Sequence, residues 1–314
     1  MKRPSELQGV IPAVVTPFDL AGCLELAQLR RHITTLIHEG CDGLFVMGTT
    51  GEGPSLGLAE REALIAAAAE AGGDLPLLAG TGTPSLSDTI LLTQRSFLLG
   101  ADAVVVVPPY YYKTITEEGL ATYFRRLLEE AVPEHGMLLL YHIPQVTGIP
   151  ISFPLLEELL KQEAHRLVGV KDSSGDPDHT ARLCAAFPGL RIFVGSDRLF
   201  LSGLKAGAAG CITAGANILA PLDVAIYRAF RDRKDEAEFL QARLSAARLV
   251  LEQHPPFPAS LKSVLALRYQ SQDWHLRPPL APLPQAESSD LMRSLGSLGL
   301  NDILPWLATE GRSA

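Results

Sequence analysis

Eight short apolar runs punctuate the chain, at residues 10–15, 43–47, 75–79, 103–107, 137–141, 167–170, 191–194 and 209–212. They are rich in Val, Ile and Leu and show little polar alternation, the pattern of strands buried on both faces of a parallel sheet. Their starts lie roughly 20 to 35 residues apart, the length of a strand plus a returning helix. Helical spacing fills the gaps. The segment 24–39 carries Leu26, Leu29, Ile33, Leu36 and Ile37 on one face, and further helices are predicted over 58–71, 86–99, 117–131, 153–162, 177–187 and 221–231. Ser85 and Ser152 stand where N-caps are expected. The seventh connection, 198–206, is the shortest.

Strands alternating with helices in this number predict a (β/α)₈ TIM barrel of the α/β class. An open doubly wound sheet would place a glycine-rich phosphate turn after its first strand. Here that position reads Thr16-Pro17-Phe18-Asp19, so the barrel is preferred. Beyond residue 231 the rhythm changes. Residues 234–253 and 259–269 read as helices without strands between them, and 277–284 as a stiff proline-rich connector. A last helix over 288–295 precedes a frayed tail. The expected organisation is a catalytic barrel over 1–231 with a C-terminal helical extension over 232–314 packed on it.

Composition narrows the function classes. Of 314 residues, 47% are hydrophobic and 20% charged, which suits a soluble globule with a sizeable core. With 27 Lys and Arg against 35 Asp and Glu, the net charge of −8 offers nucleic acid no general attraction. No run approaches the ~20 apolar residues that cross a bilayer, and residues 1–9 lack the apolar segment of a signal peptide. Cys23, Cys41, Cys184 and Cys211 make no C-x-x-C pair, which argues against a disulfide framework or a zinc site. A cytoplasmic protein without membrane or nucleic-acid partners is expected. No two histidines stand at ligand spacing on a helix, so no metal is expected either.

In a barrel, chemistry is expected at the C-terminal strand ends. Alone among seven lysines, Lys171 follows an apolar strand, Leu167-Val168-Gly169-Val170. Alternation turns it away from Val170, and so inward if Val170 faces the helices. Desolvation there lowers an amine's pKa toward neutrality, and a neutral amine forms a Schiff base with a ketone. The competing reading is a buried ion pair with Asp172 or another carboxylate. Tyr141 lies one strand earlier at matching depth, where a phenol can carry protons; the competing reading is a core aromatic with a satisfied hydroxyl. The turn Gly48-Thr49-Thr50-Gly51 offers two hydroxyls and backbone N–H groups that can cradle a carboxylate. No Gly-Lys-Ser/Thr follows, so it is not a nucleotide loop. The run Tyr110-Tyr111-Tyr112 is of the kind that packs at interfaces, and His142 points to the face opposite Tyr141.

Several pieces keep a common order and spacing: Gly48-Thr49-Thr50-Gly51-Glu52, Pro109-Tyr110-Tyr111, Tyr141-His142-Ile143-Pro144 with Thr147-Gly148, Gly169-Val170-Lys171-Asp172, and Gly207-Ala208-Ala209-Gly210 leading to Asn217. Together they resemble the dihydrodipicolinate synthase/N-acetylneuraminate lyase superfamily of class I aldolases, across roughly residues 7–300. The resemblance implies a homotetramer, a dimer of dimers, that cleaves or forms 2-keto acids through a lysine imine. Its partners would be pyruvate and an aldehyde, and it would need no metal or organic cofactor. Lys171 would then bear the Schiff base, with Tyr141 as general acid/base and Thr49 relaying protons to it. Thr50, with the backbone beside Gly48, would hold the keto-acid carboxylate. Tyr111 would reach the neighbouring subunit's site, with Tyr110 or Tyr112 as alternatives because one extra residue precedes Glu118-Gly119. Gly195 and Ile212 would line the lysine's pocket.

One position departs from the synthases. They carry an arginine two residues before the glycine of the Thr-Gly pair, where this chain has Val146. Loss of that bidentate partner would weaken an aspartate-semialdehyde site by ~1.5–3 kcal/mol. The sialate lyases usually read Ser-Thr where this chain has Thr49-Thr50. The chain resembles the aldolases of 2-keto-3-deoxy sugar acids more closely, which implies that Ser196 and Asp197 would hydrogen-bond the hydroxyls of the aldehyde half. The synthase, the N-acetylneuraminate lyase, a dehydratase of the same sugar acids and a non-catalytic keto-acid-binding barrel are the alternatives.

Overall fold

The apolar runs become eight parallel strands in a computed structural model that describes residues 2–307. They are β1 (Gly9–Pro12), β2 (Leu44–Val46), β3 (Leu77–Gly80), β4 (Ala103–Val106), β5 (Met137–His142), β6 (Leu167–Asp172), β7 (Arg191–Val194) and β8 (Gly210–Thr213). From β2 to β8 each pairs with the next in sequence, and β8 returns to pair with β1. The ring closes between β1 and β2 at the Ala13–Phe45 bridge, where Val14 N donates to Phe45 O at 2.8 Å. The fold is the (β/α)₈ barrel.

Side-chain alternation decides what enters the lumen. Along β5, Met137, Leu139 and Tyr141 join Ile11, Phe45, Val105, Phe193 and Ile212 inside the barrel. Leu138 and Leu140 turn outward to Phe124 and Leu156 of the surrounding helices. On β6 Val168 faces in and Val170 faces out. The next position, Lys171, therefore faces in.

The helices between strands follow the predicted spacing, and the two expected caps form. Ser85 Oγ accepts from Asp88 N at 3.3 Å and Ser152 Oγ from Leu155 N at 3.1 Å. The seventh connection is a 3₁₀ turn, Asp197–Leu199, running into the short helix Phe200–Ala206. The helix expected from 221 instead starts upstream and spans Ala216–Arg231, with Pro221 inside it. Reading that proline as a first-turn residue misplaces the start. Asn217 explains the extra turn: its Nδ2 donates to Ala13 O and Ala214 O at 2.8 Å, and its Oδ1 accepts from Val15 N at 3.0 Å.

After Arg231 come the helices Glu236–Glu252, Phe257–Tyr269 and Gln285–Ser297. One apolar core runs from Val10, Val46 and Ile218 through Leu244, Leu261 and Leu291, so the extension shares the barrel's outer core. The segment after the last helix is not frayed as far as it is described: Leu300, Leu304 and Leu307 are buried in that core. The rest of the expected tail, 308–314, lies outside the described residues. Among those described, no helix is long and apolar enough to cross a membrane.

Two buried histidines make stability depend on acid. His32 has Nδ1 2.9 Å from the Tyr269 hydroxyl and Nε2 3.0 Å from Asn217 Oδ1. Burial is the main reason its pKa falls from 6.5 to about 4, with Arg268 adding to the fall and the Asn217 bond opposing it. His142 is also pushed down to about 4, by burial and by His179. Between these values and about 6.5 the unfolded chain binds more protons than the folded one. Stability is therefore full above that window and falls as pH drops through it, by roughly 3 kcal/mol for His32 alone. Thermal melts should drop steadily from about pH 7 to about pH 4.5, and an unchanged melting temperature would contradict this assignment.

Candidate active site

Tyr141 and Lys171 are direct register partners on β5 and β6. The Lys171 amine lies 4.0 Å from the centre of the Tyr141 ring and 4.7 Å from that of Phe45, and the residue is 3% exposed. The ion-pair reading fails on geometry. Asp172, the next residue, turns outward, where its carboxylate accepts from Ser174 N (3.0 Å) and Thr180 Oγ1 (2.7 Å) and lies 3.1 Å from His179 Nδ1. Among the described residues no carboxylate pairs with the amine. Phe45 and Tyr141, the two rings that flank it, both line a cavity of about 120 Å³.

The phenol is tuned by the same neighbours. Burial raises the Tyr141 pKa, but the Lys171 charge and hydrogen bonding from Lys171, Ser173 and Thr49 outweigh it, leaving the phenol below its ordinary value. A phenol more easily ionised than usual is a better proton carrier near neutral pH. Ser173 carries no expected role from sequence, although it follows Lys171 by two on the same strand direction and so shares its face. Gly195 makes room for it: a Cβ there would fall 1.9 Å from Ser173 Oγ. Gly195 N also donates to Asp172 O at 2.7 Å, so the glycine acts by spacing and anchoring.

The threonine turn is held under strain. Met47 (φ 59°) and Glu52 (φ 53°) bracket it in the left-handed region, each at a cost of roughly 1–2 kcal/mol. A side chain at Gly48 would meet the Phe45 ring at 2.5 Å. Thr16 Oγ1 donates to Gly51 O at 2.7 Å from above β1. From below, the buried Glu52 carboxylate accepts from the Lys262 amine and from Arg277 N at 3.0 Å. Lys262 is 1% exposed, donates also to His275 O at 2.6 Å, and sits 4.5 Å from the Phe18 ring centre. Burial pulls its pKa down to about 8 against the opposing pull of Glu52. The helical extension thus pins the turn that presents Thr49 to the cavity and leaves Thr50 half-buried.

Other expected residues fall in different places. Of the tyrosine run, Tyr110 lines this chain's own cavity, and Lys113 Nζ fastens its carbonyl to Thr147 O (2.8 Å). Tyr111 and Tyr112 are 72% and 69% exposed, their rings edge-to-face at 5.3 Å. Ile212 is in the lumen, whereas Ser196 is half-buried and away from the cavity lining. Asp197, expected to meet the aldehyde half, is instead fully buried and paired with Arg248 of the helix Glu236–Glu252. The 3₁₀ turn that follows Ser196 swings its carboxylate back into the protein. Arg61 lines the cavity and was not singled out from sequence, where it reads as one more charged helix position.

One group of metal-ligand type exists among the described residues: atoms of His142, Asp172 and His179 lie within 4.8 Å of one another. Its members come from β5, β6 and the helix Pro177–Ala186, so helical spacing does not reveal it. They do not fit an ion. His142 Nδ1 already accepts from Ile151 N at 3.0 Å, and the two imidazoles stack at 4.4 Å and 16°, so their lone pairs lie in separate, nearly parallel planes and do not converge on one ion. The set is a hydrogen-bonded buttress behind Lys171.

Comparison with known proteins agrees with this geometry. Residues 6–298 match the model of the dihydrodipicolinate synthetase family. An uncharacterized DapA-like lyase of Chloroflexus aurantiacus is 41% identical over 288 residues, covering 91% of this chain and 95% of that protein. The 4-hydroxy-tetrahydrodipicolinate synthase of Parasynechococcus marenigrum is 33% identical over 309 residues, covering 94% and 96%. Among solved structures, YagE of E. coli, a prophage protein of the dihydrodipicolinic acid synthase family crystallised with pyruvate, superposes with a TM-score of 0.88 at 29% identity, covering 94% of this chain and 99% of that one.

Proposed function

The chain belongs to the dihydrodipicolinate synthetase family, a family of class I aldolases and lyases, and on that premise we propose that it splits a 2-keto-3-deoxy sugar acid into pyruvate and an aldehyde. The observation that carries the reading is the Lys171 amine, unpaired by any described carboxylate and set against Tyr141 beside a cavity. Lys171 attacks the C2 carbonyl, and the carbinolamine loses water as Tyr141 supplies a proton to the departing hydroxyl. The resulting iminium is an electron sink. Tyr141, in proton exchange with Thr49, takes the proton of the C4 hydroxyl; the C3–C4 bond breaks, the aldehyde leaves and its electron pair forms the enamine. Protonation at C3 and hydrolysis return pyruvate and the free amine. Thr50 and the backbone N–H groups of its turn hold the keto-acid carboxylate.

Val146 supports a sugar-acid substrate over aspartate semialdehyde: it lines the cavity at the position where the resemblance places the synthases' arginine. The synthase names among the relatives favour a second reading, condensation of pyruvate with aspartate semialdehyde. The exposed Tyr111–Tyr112 pair supports a homotetramer in which those rings are covered. A panel of 2-keto-3-deoxy acids assayed for pyruvate release should yield at least one substrate turned over faster than aspartate semialdehyde is condensed. The reverse ranking would overturn the substrate assignment. Tyr141→Phe should still bind pyruvate while turnover falls by about 10²–10⁴-fold; unimpaired turnover would remove the phenol from the chemistry.

A further inference from the structure

Arg61 is a buried cation that no carboxylate answers among the described residues. Its side chain leaves the helix Leu58–Gly72 and is 8% exposed. Nε donates to Leu56 O at 3.0 Å and Nη2 to Gly53 O at 2.6 Å. Among the described residues Nη1 has no hydrogen-bond partner and stays open to solvent, and no carboxylate lies within 4.0 Å of the guanidinium. Buried charges are ordinarily paired, and here the guanidinium is held by two loop carbonyls on one side and left open for a partner on the other. Arg61 is also the one charged side chain lining the cavity that holds Thr49, Tyr110, Tyr141 and Val146, among the described residues. Its far side borders a second cavity, where Asp88 lies without pairing to it.

We propose that Arg61 receives a carboxylate at the distal end of the aldehyde half, so that the 2-keto acid this enzyme cleaves is acidic at both ends. This deepens the aldolase reading and rests on it. A keto acid joined to Lys171 passes its aldehyde half into a cavity whose remaining walls are largely apolar, Phe45, Met47, Val105 and Val107 among them. A neutral tail would leave the guanidinium unanswered; a carboxylate answers it through the free Nη1. The cavity, about 120 Å³, suits a group of that size.

The test is condensation of pyruvate with two aldehydes of equal chain length, succinic semialdehyde and butanal. Wild-type kcat/KM should favour the acid by roughly 10- to 100-fold, the worth of one charge-assisted hydrogen bond. In Arg61→Met the fall on the acid should exceed the fall on butanal by that factor, through KM more than kcat, and Arg61→Lys should recover part of the preference. Equal wild-type rates on the two aldehydes overturn the proposal, as does a preference that survives in Arg61→Met. Because Arg61 also holds two loop carbonyls, each variant is checked for borohydride trapping of pyruvate. If Arg61→Met no longer traps, the wild-type comparison decides. Failure of the wild type to trap removes the aldolase reading itself, whereas trapping without acid preference removes only the role of Arg61.

Discussion

Lys171→Met is expected to abolish turnover, by at least about 10⁴-fold, while leaving the protein folded. The chemistry needs a nitrogen lone pair at that position, and no nearby residue offers a substitute: Tyr141, Thr49 and Ser173 carry only oxygen. Stability should move the other way. The amine is buried against two rings with no carboxylate partner among the described residues, so it is held at a desolvation cost. Methionine has similar length and no charge. The variant should melt at or above the wild-type temperature, the behaviour of a site whose function is kept at the expense of stability. Circular dichroism melts and pyruvate-release rates on the same preparation check both halves. A variant that retains more than about a hundredth of the activity would contradict the imine mechanism.

Lys262→Met should do the opposite. It leaves the Glu52 carboxylate fully buried with only the Arg277 N–H to answer it, and an orphaned buried charge costs roughly 3–5 kcal/mol. The loss falls on the strained turn between Met47 and Glu52, so KM for pyruvate should rise as the Thr49-Thr50 hydroxyls lose their support. The double variant Glu52→Gln with Lys262→Met removes both charges and should recover most of the stability, since a glutamine oxygen still accepts from Arg277 N. Denaturant unfolding of the two variants reads this directly. If Lys262→Met unfolds within about 0.5 kcal/mol of wild type, the pair does not hold the turn.

The two lysines show what could and could not be seen from the chain. Lys171 was legible because β6 is a strand: Val168 and Val170 alternate in apolar surroundings, and the period of two fixes where the next side chain points. Tyr141 was legible for the same reason, and the register pairing of the two followed from strands of equal depth. Lys262 sits on a helix whose charged positions look solvated, and its partner Glu52 is 210 residues away. No local period links them. Arg61 was hidden in the same way, its guanidinium folding back to carbonyls of a loop that sequence spacing cannot place.

Errors elsewhere have the same physical origin. The apolar runs marked every strand, since strands buried on both faces leave continuous hydrophobic stretches, but ends were set by tertiary bonds. The first run extends past Pro12 because Ala13 to Val15 are bonded to Thr213, Phe45 and Asn217, outside the regular ladder. Asp197 follows β7 just where a substrate contact is expected, yet Arg248, from the extension, takes its carboxylate.

The central claim is that one amine, on Lys171, joins covalently to a keto acid. Incubating the protein with pyruvate and sodium borohydride, then sequencing the digest by mass spectrometry, tests it most directly. A single reduced pyruvate adduct on Lys171, with matching loss of activity, is the expected result. An adduct on any other lysine, or none while activity persists, would contradict it.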